Sequence, residues 1–191
     1  MPFRKRQSQT LRAEARTNSS IASADVVPSL GTGGTAMHPN IELISRLYRS
    51  LAAHDHKTMA ECYHQDATFE DIAFKLEGRE KIHGMWRFVT RPEPKLTVTF
   101  SDVTADDYNG RAKLIDDYVF TETGRPVHNV ITSIFRFRGG LIASHRDECD
   151  PIAWANMAMT GPKAWLAGHV RPIRARAAAK KLDQFLTANT G

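Results

Sequence analysis

Three aspartates, each set in an apolar run, are the side chains best placed for acid–base chemistry. Asp116 lies in "RAKLIDDYVF", Asp147 in "LIASHRDEC" and Asp71 in "DATFEDIAF". All three runs read as β-strands, in which successive side chains point to opposite faces. By that parity Leu114, Asp116, Tyr118 and Phe120 share a face whose aromatic content marks it as inward. In the second run Leu141, Ala143, His145, Asp147 and Cys149 share the less charged face, opposite Ile142, Ser144, Arg146 and Glu148. Phe69 and Asp71 share a face in the third. A carboxylate aimed into an apolar cavity is costly unless paired or protonated. Two held close together push one pKa up, which is how a fold obtains a general acid or base near neutral pH. Asp116 with Asp147 is the expected reactive pair, and Asp71 the third candidate. The competing reading is a strand-end role, in which either acid bonds backbone amides or pairs with Arg146 or Arg125.

Other chemistry finds less support. His54 and His56 form an HxH pair and Cys62 and His64 a CxH pair. The first pair is expected in an interhelical loop, the second on a helix at i and i+2, which do not share a face. Solvated histidines are the expectation, and no metal site is assigned. "GTGG" at 31–34 lacks the Lys-Ser/Thr of a phosphate-binding loop. No G-x-S-x-G is present, which removes the usual serine-hydrolase elbow. The two cysteines, Cys62 and Cys149, show no CxxC spacing and build no disulfide scaffold.

The elements that must carry these residues begin near Pro39. Ile41, Ile44, Leu47, Tyr48 and Leu51 fall on one helical stripe. A short second helix is expected to open at Thr58, where Thr58-Met59-Ala60-Glu61 reads as a capping box. "DATFEDIAF" follows as a strand, then a helix over about Arg79 to Val89 with Ile82, Met85, Trp86 and Val89 at helical spacing. After "RPEP" the period changes from 3.6 to 2. "KLTVTFSDVT", "RAKLIDDYVF", "PVHNVITSIFRFR" and "LIASHRDEC" are four strands joined by turn compositions suited to antiparallel hairpins. In the third of them Asn129, Ile131, Ser133, Phe135 and Phe137 share the apolar face. His128 points outward with Val130 and Thr132. Asp150-Pro151 caps a further helix. Helices followed by a meander argue for an α+β fold with helices on one face of the sheet.

The chain has 191 residues, 41% hydrophobic and 25% charged, which is ordinary globular composition. No apolar run approaches the ~20 residues that cross a bilayer. The net charge of +5 sits at the ends: five Lys and Arg against two acids in 1–36, and six against one in 163–191. The middle is mildly acidic, which argues against nucleic-acid binding by the core. Residues 1–36 lack periodicity and are expected to be a disordered tail or the product of a start codon placed before Met37, with an organelle transit peptide as the lesser reading. The segment 151–191 alternates apolar residues (Trp154, Met157, Trp165, Leu166, Ile173, Leu182, Phe185) with basic ones. Packing on the domain or on a dimer partner is expected for it. A lid over a pocket, or an interfacial helix drawn to the membrane surface, stands behind that reading.

The order of elements, "FEDIAFKLEGREKI", "TGRPVHNVITSIFRFRGGLI" and the closing "HRDECD" resemble the nuclear transport factor 2-like superfamily. This group of α+β cones includes SnoaL-like polyketide cyclases, ketosteroid isomerases and limonene-epoxide hydrolases. The resemblance spans about 38–150 and divides the chain into an extension (1–36), a SnoaL-like pocket domain (37–150) and a C-terminal helical extension (151–191). It implies three helices packed on a strongly curved antiparallel sheet, a deep hydrophobic pocket and often a dimer across the sheet. In the epoxide hydrolases an Asp-Arg-Asp set does the chemistry. Asp116 falls on the protonating Asp, Asp147 on the base, and Leu114 on the bridging arginine, which a leucine cannot replace. Phe69 and Asp71 fall where those enzymes carry the Tyr and Asn that hold water.

The resulting expectation is a cofactor-independent isomerase, cyclase or hydrolase with carboxylate acid–base chemistry on a small hydrophobic molecule. Asp116, Asp147 and Asp71 are the catalytic candidates; Tyr48, Phe69, Trp86, Tyr118, Asn129 and His145 are the candidate substrate contacts. A homodimer through the outward set Val130, Thr132 and Ile134 is expected, as is a cytoplasmic location. The alternative is a non-catalytic ligand-binding or protein-interaction module on the same scaffold, which would fill the cone and expose an apolar patch.

Overall fold

A computed structural model of the protein describes residues 37–92 and 95–189. The expected extension over 1–36 lies outside the described residues. The first helix, α1 (Pro39–Ala52), buries Ile44, Leu47, Tyr48 and Leu51 along the stripe its spacing requires. Helix α2 (His56–Glu61) starts two residues earlier than the Thr58 capping box predicts. Asp55 is its N-cap, accepting from the amides of Lys57 and Thr58 and from the Thr58 hydroxyl at 2.6 Å. The Thr58 side chain is therefore engaged as a donor to the cap and is not the cap itself. Cys62 closes α2 and His64 already lies on a strand, so the expected i, i+2 pair on one helix does not exist. His54 is no solvated loop residue either. Its ring bonds the carbonyls of Thr90 and Leu96, and His56 reaches the His83 ring at 2.9 Å.

Strand β1 (Tyr63–Glu70) ends one residue before Asp71, and β2 (Lys75–Glu77) returns antiparallel beside it. The single strand read across "DATFEDIAF" is thus broken by a turn. The Asp71 carboxylate accepts the Ala73 amide at 2.6 Å and the Phe74 amide, an Asx turn that outcompetes strand continuation. Helix α3 (Arg79–Val89) follows within its expected bounds. Four long strands complete the sheet: β3 (Thr97–Ala105), β4 (Asn109–Phe120), β5 (Arg125–Arg138) and β6 (Leu141–Glu148). The order is β2-β1-β6-β5-β4-β3.

Two features depart from a plain antiparallel sheet. β1 runs parallel to β6, because the chain reaches β6 only after the whole meander has been laid down. Between β5 and β6 the register slips, Arg136 facing Ser144 and Phe137 facing Ile142, so Ala143 is an extra residue. This bulge reverses the alternation. Ile142, expected outward, is fully buried, while His145 keeps its inward position.

The core lies between α1, α3 and the concave sheet face, with Tyr48, Tyr63, Phe69, Met85, Phe135 and Ile142 almost fully buried. Burial of such side chains stabilises by roughly 1.5–3 kcal/mol each. After Asp150, which accepts from the Ile152 and Ala153 amides, the chain forms α4 (Pro151–Ala158), α5 (Gly161–His169) and α6 (Arg171–Ala188). Gly168 lets α5 lie close on α4, since a β-carbon there would stand 3.1 Å from Ile152 Cα. α6 packs back on α3 through the Phe88–Phe185 ring pair, with centroids 5.5 Å apart. No described helix is long and apolar enough to cross a membrane.

Candidate active site

The space between the concave sheet, α3 and the three C-terminal helices is a cavity of about 470 Å³. Phe69, Phe74, Met85, Trp86, Leu114 and Ile131 form its apolar wall. Asp71, Asp116 and Asp147 all line it, together with Tyr118, Asn129 and Cys149. Strand parity brings Asp116 and Asp147 to one face, although their strands are not neighbours in the sheet. β5 runs between them, with Asp116 opposite Asn129 and Asp147 opposite Ser133.

The two carboxyls have unlike surroundings. Asp147 Oδ1 accepts the Ser133 hydroxyl at 2.5 Å and the His145 Nε2–H at 2.9 Å. Tyr48 donates to Ser133 Oγ at 2.5 Å, and the Tyr63 hydroxyl stands 2.7 Å from His145 Nδ1. Burial holds both phenols well above the usual tyrosine range, so both remain O–H donors. With Tyr63 donating to Nδ1, His145 carries its proton on Nε2. Every hydroxyl and ring in the chain Tyr48–Ser133–Asp147–His145–Tyr63 is thereby engaged, and its two arms meet through Ser133 and His145 at one carboxylate oxygen.

Asp116 has no such support. Among the described residues nothing donates to it, and its Oδ1 is buried without a partner. Burial, then the negative charges of Asp147 and Asp117, push its pKa up to about 7. Asp71 is pushed up to about 6 by burial, against the pull of the Phe74 and Ala73 amides. Its two amide bonds make it the anchor of a turn at the cavity wall, the strand-end role weighed against function.

The candidate substrate contacts divide in two. Phe69, Trp86, Tyr118 and Asn129 line the cavity. Tyr118 accepts the Trp154 indole N–H at 2.8 Å. Trp86 Nε1 is buried and approaches the Tyr63 hydroxyl without meeting hydrogen-bond geometry. Tyr48 and His145 are fully buried behind the wall, and their polar atoms are spent on Ser133, Tyr63 and Asp147. They brace Asp147, directly or through Ser133, and do not line the cavity. Tyr63 was not legible as part of this set, because strand parity inside one segment says nothing of a hydroxyl reaching across from β1 to β6. Ser133 carried one signal, its place on the inward face of β5. His128 is exposed and pairs with Asp117 at 2.7 Å on the outer face, as parity places it. No group of three or more His, Cys, Asp or Glu able to hold a metal is found among the described residues.

With this geometry in hand, comparison with known proteins decides the family. The SnoaL-like domain matches residues 44–145, more than half of the chain. The chain belongs to the SnoaL-like family. This SnoaL-like protein has solved structural neighbours throughout the nuclear transport factor 2-like superfamily. A protein from Catenulispora acidiphila with a ketosteroid isomerase-like fold, in complex with trimethylamine, is 16% identical. It aligns over 61% of this chain and 92% of its own, with a TM-score of 0.55. An epoxide hydrolase of the LEH-like kind from M. tuberculosis is 17% identical over 71% and 95%, with a TM-score of 0.54. IdmH of Streptomyces antibioticus, a candidate polyketide cyclase, is 20% identical over 63% and 98%, with a TM-score of 0.53. These likenesses show the fold. Among curated proteins none matches the chain. The SnoaL-like match ends at His145, so α4, α5 and α6, which close the cavity, lie outside it.

Proposed function

We propose that this SnoaL-like protein is a cofactor-independent enzyme that moves protons on a small apolar molecule, with Asp147 as base and Asp116 as acid. One observation carries the reading: of the three carboxyls that line one apolar cavity, Asp147 is held by two side-chain donors and Asp116 has no hydrogen bond. Asp147 Oδ1 is held by Ser133 and His145, which fixes the side chain and leaves Oδ2 to accept a proton. Asp116, without a donor and with its pKa near 7, carries a proton it can give to a carbonyl or ether oxygen. Leu114 supplies no cation between the acids, so the pair resembles an enolising site more than an arginine-bridged epoxide hydrolase. Proton transfer next to a carbonyl, as in isomerases and cyclases, is the favoured reaction. An unfilled apolar cavity lined by unlike acids supports catalysis over the binding-module alternative, which calls for a filled cone.

The test is proton exchange at the α-carbon of an apolar ketone, 2-tetralone, followed by NMR in D₂O. The wild type should exceed Asp147→Asn by about 10²–10⁴-fold, the usual worth of a positioned base. Equal rates in the two proteins would reject the reading.

A further inference from the structure

The cavity is lined by carboxyls and by cations that come from different elements. The carboxyls Asp71, Asp116 and Asp147 come from β4, β6 and the turn after β1. The cations that line it come from elsewhere: Arg91 just after α3, Lys163 on α5, and Arg174 and Lys181 on α6. Against these four stands one carboxylate of the same wall, Glu122, which pairs with Lys181. The remaining partners are neutral. Arg91 donates to the Phe88 carbonyl and lies over the Phe88 ring, 4.0 Å from its centroid. Arg174 is buried and gives its N–H groups to the carbonyls of Ile72, Ala167 and Gly168. Lys163 makes no ion pair or hydrogen bond among the described residues. Arg91 and Lys181 are close enough to repel one another, and both are partly desolvated. Arg91 and Lys163 therefore have no ion-pair partner among the described residues, and Lys181 has only Glu122. Arg91 and Lys181 are half-buried at an otherwise apolar cavity, where charges interact more strongly than in water, while Lys163 is solvent-exposed.

We propose that Arg91, Lys163 and Lys181 form an anion subsite, and that the natural ligand is an apolar molecule bearing a carboxylate. Its body lies on the Phe69–Met85–Trp86–Leu114 wall and its anionic group faces α5 and α6. The proposal rests on the reading that the cavity holds the substrate, and adds which chemical class it admits. Lys163 and Lys181 come from helices beyond the SnoaL-like match. The C-terminal helices thus close the cone and also select what enters it. Arg174 is assigned to the architecture, since its Nε and Nη1 donors are occupied by backbone carbonyls.

The experiment uses an isosteric pair, 2-naphthoic acid and 2-naphthamide, titrated into the full chain at pH 7.5 by calorimetry. The acid should bind at least tenfold more tightly than the amide, and its advantage should shrink several-fold between 20 mM and 300 mM NaCl. Arg91→Met with Lys181→Met should bring the two ligands to equal affinity. The advantage should survive in Asp147→Asn, so loss of turnover and loss of anion recognition are read separately. Should the double variant fail to fold, the salt dependence of the wild type decides alone. Equal binding of acid and amide, an acid advantage insensitive to salt, or no binding of either compound would each overturn the proposal.

Discussion

His145 donates its Nε2–H to Asp147 Oδ1 at 2.9 Å from two residues back on the same strand. This is the i, i+2 spacing at which side chains share a face, and it lets β6 carry both the base and its support. The His145 ring is sandwiched among aromatics, with its centroid 4.4 Å from Phe135 and 5.0 Å from Phe69. His145→Phe would keep that packing and remove both hydrogen bonds. We expect it to lower α-proton exchange by about 10–100-fold while 2-naphthoic acid still binds, and to cost roughly 1–3 kcal/mol in urea unfolding. Full activity in this variant would show that Ser133 alone holds Asp147.

Asp116 makes stability depend on pH. Its pKa is about 7 in the folded chain against 3.8 when unperturbed, so the folded state keeps a proton that the unfolded state releases. The associated stability is complete below about pH 4 and is lost as pH rises towards 7. Asp71, raised to about 6, adds to the loss in the lower part of that window. Between pH 4.5 and 7.5 the two together should lower the unfolding free energy by about 5 kcal/mol. Asp116→Asn should remove all but the Asp71 part, which ends near pH 6, and should be at least as stable as the wild type at pH 8. Urea melts of both proteins across this range provide the measurement.

Arg174 fastens α5 and α6 to the turn after β1. Its Nε donates to the Ile72 carbonyl at 2.7 Å, and other guanidinium donors reach Ala167 and Gly168. A lysine has no fork to reproduce this geometry. Arg174→Lys should therefore behave like Arg174→Ala, each costing about 2 kcal/mol, with faster amide exchange in 161–188 and 71–74. Wild-type protection in those segments after Arg174→Lys would contradict the assignment.

Association is proposed through the outer sheet face. Val130 is 47% exposed, and Thr132 and Ile134 are half-buried on the same side of β5. A second copy of the chain would cover this apolar row. Light scattering should show a dimer for the wild type and a monomer for Ile134→Asp. A wild type that remains monomeric at high concentration would end the proposal.

Local chemistry by itself determined the fold class, α3 and the inward faces of β4 and β5. Period and turn residues act over a few positions, and nothing tertiary overrode them there. The same parity put Asp116, Asp147 and Asn129 on the cavity side. It failed where a long-range contact or a turn intervened. The Ala143 bulge, set by pairing with β5, moved Ile142 into the core. The Asx turn at Asp71, formed by amides two and three residues ahead, cut one expected strand in two. The ring at 145 and the hydroxyl at 48 read as ligand contacts because a polar group on an apolar face has that signature. Whether such a group meets a ligand or another buried group depends on what the rest of the chain brings opposite. Tyr63, Ser133 and Asp147 are those groups, 82, 85 and 2 residues away in sequence from the side chains they satisfy. Closure of the cavity by α5 and α6 was likewise decided only by packing, because their apolar and basic residues would read the same on a free helix, a dimer contact or a lid.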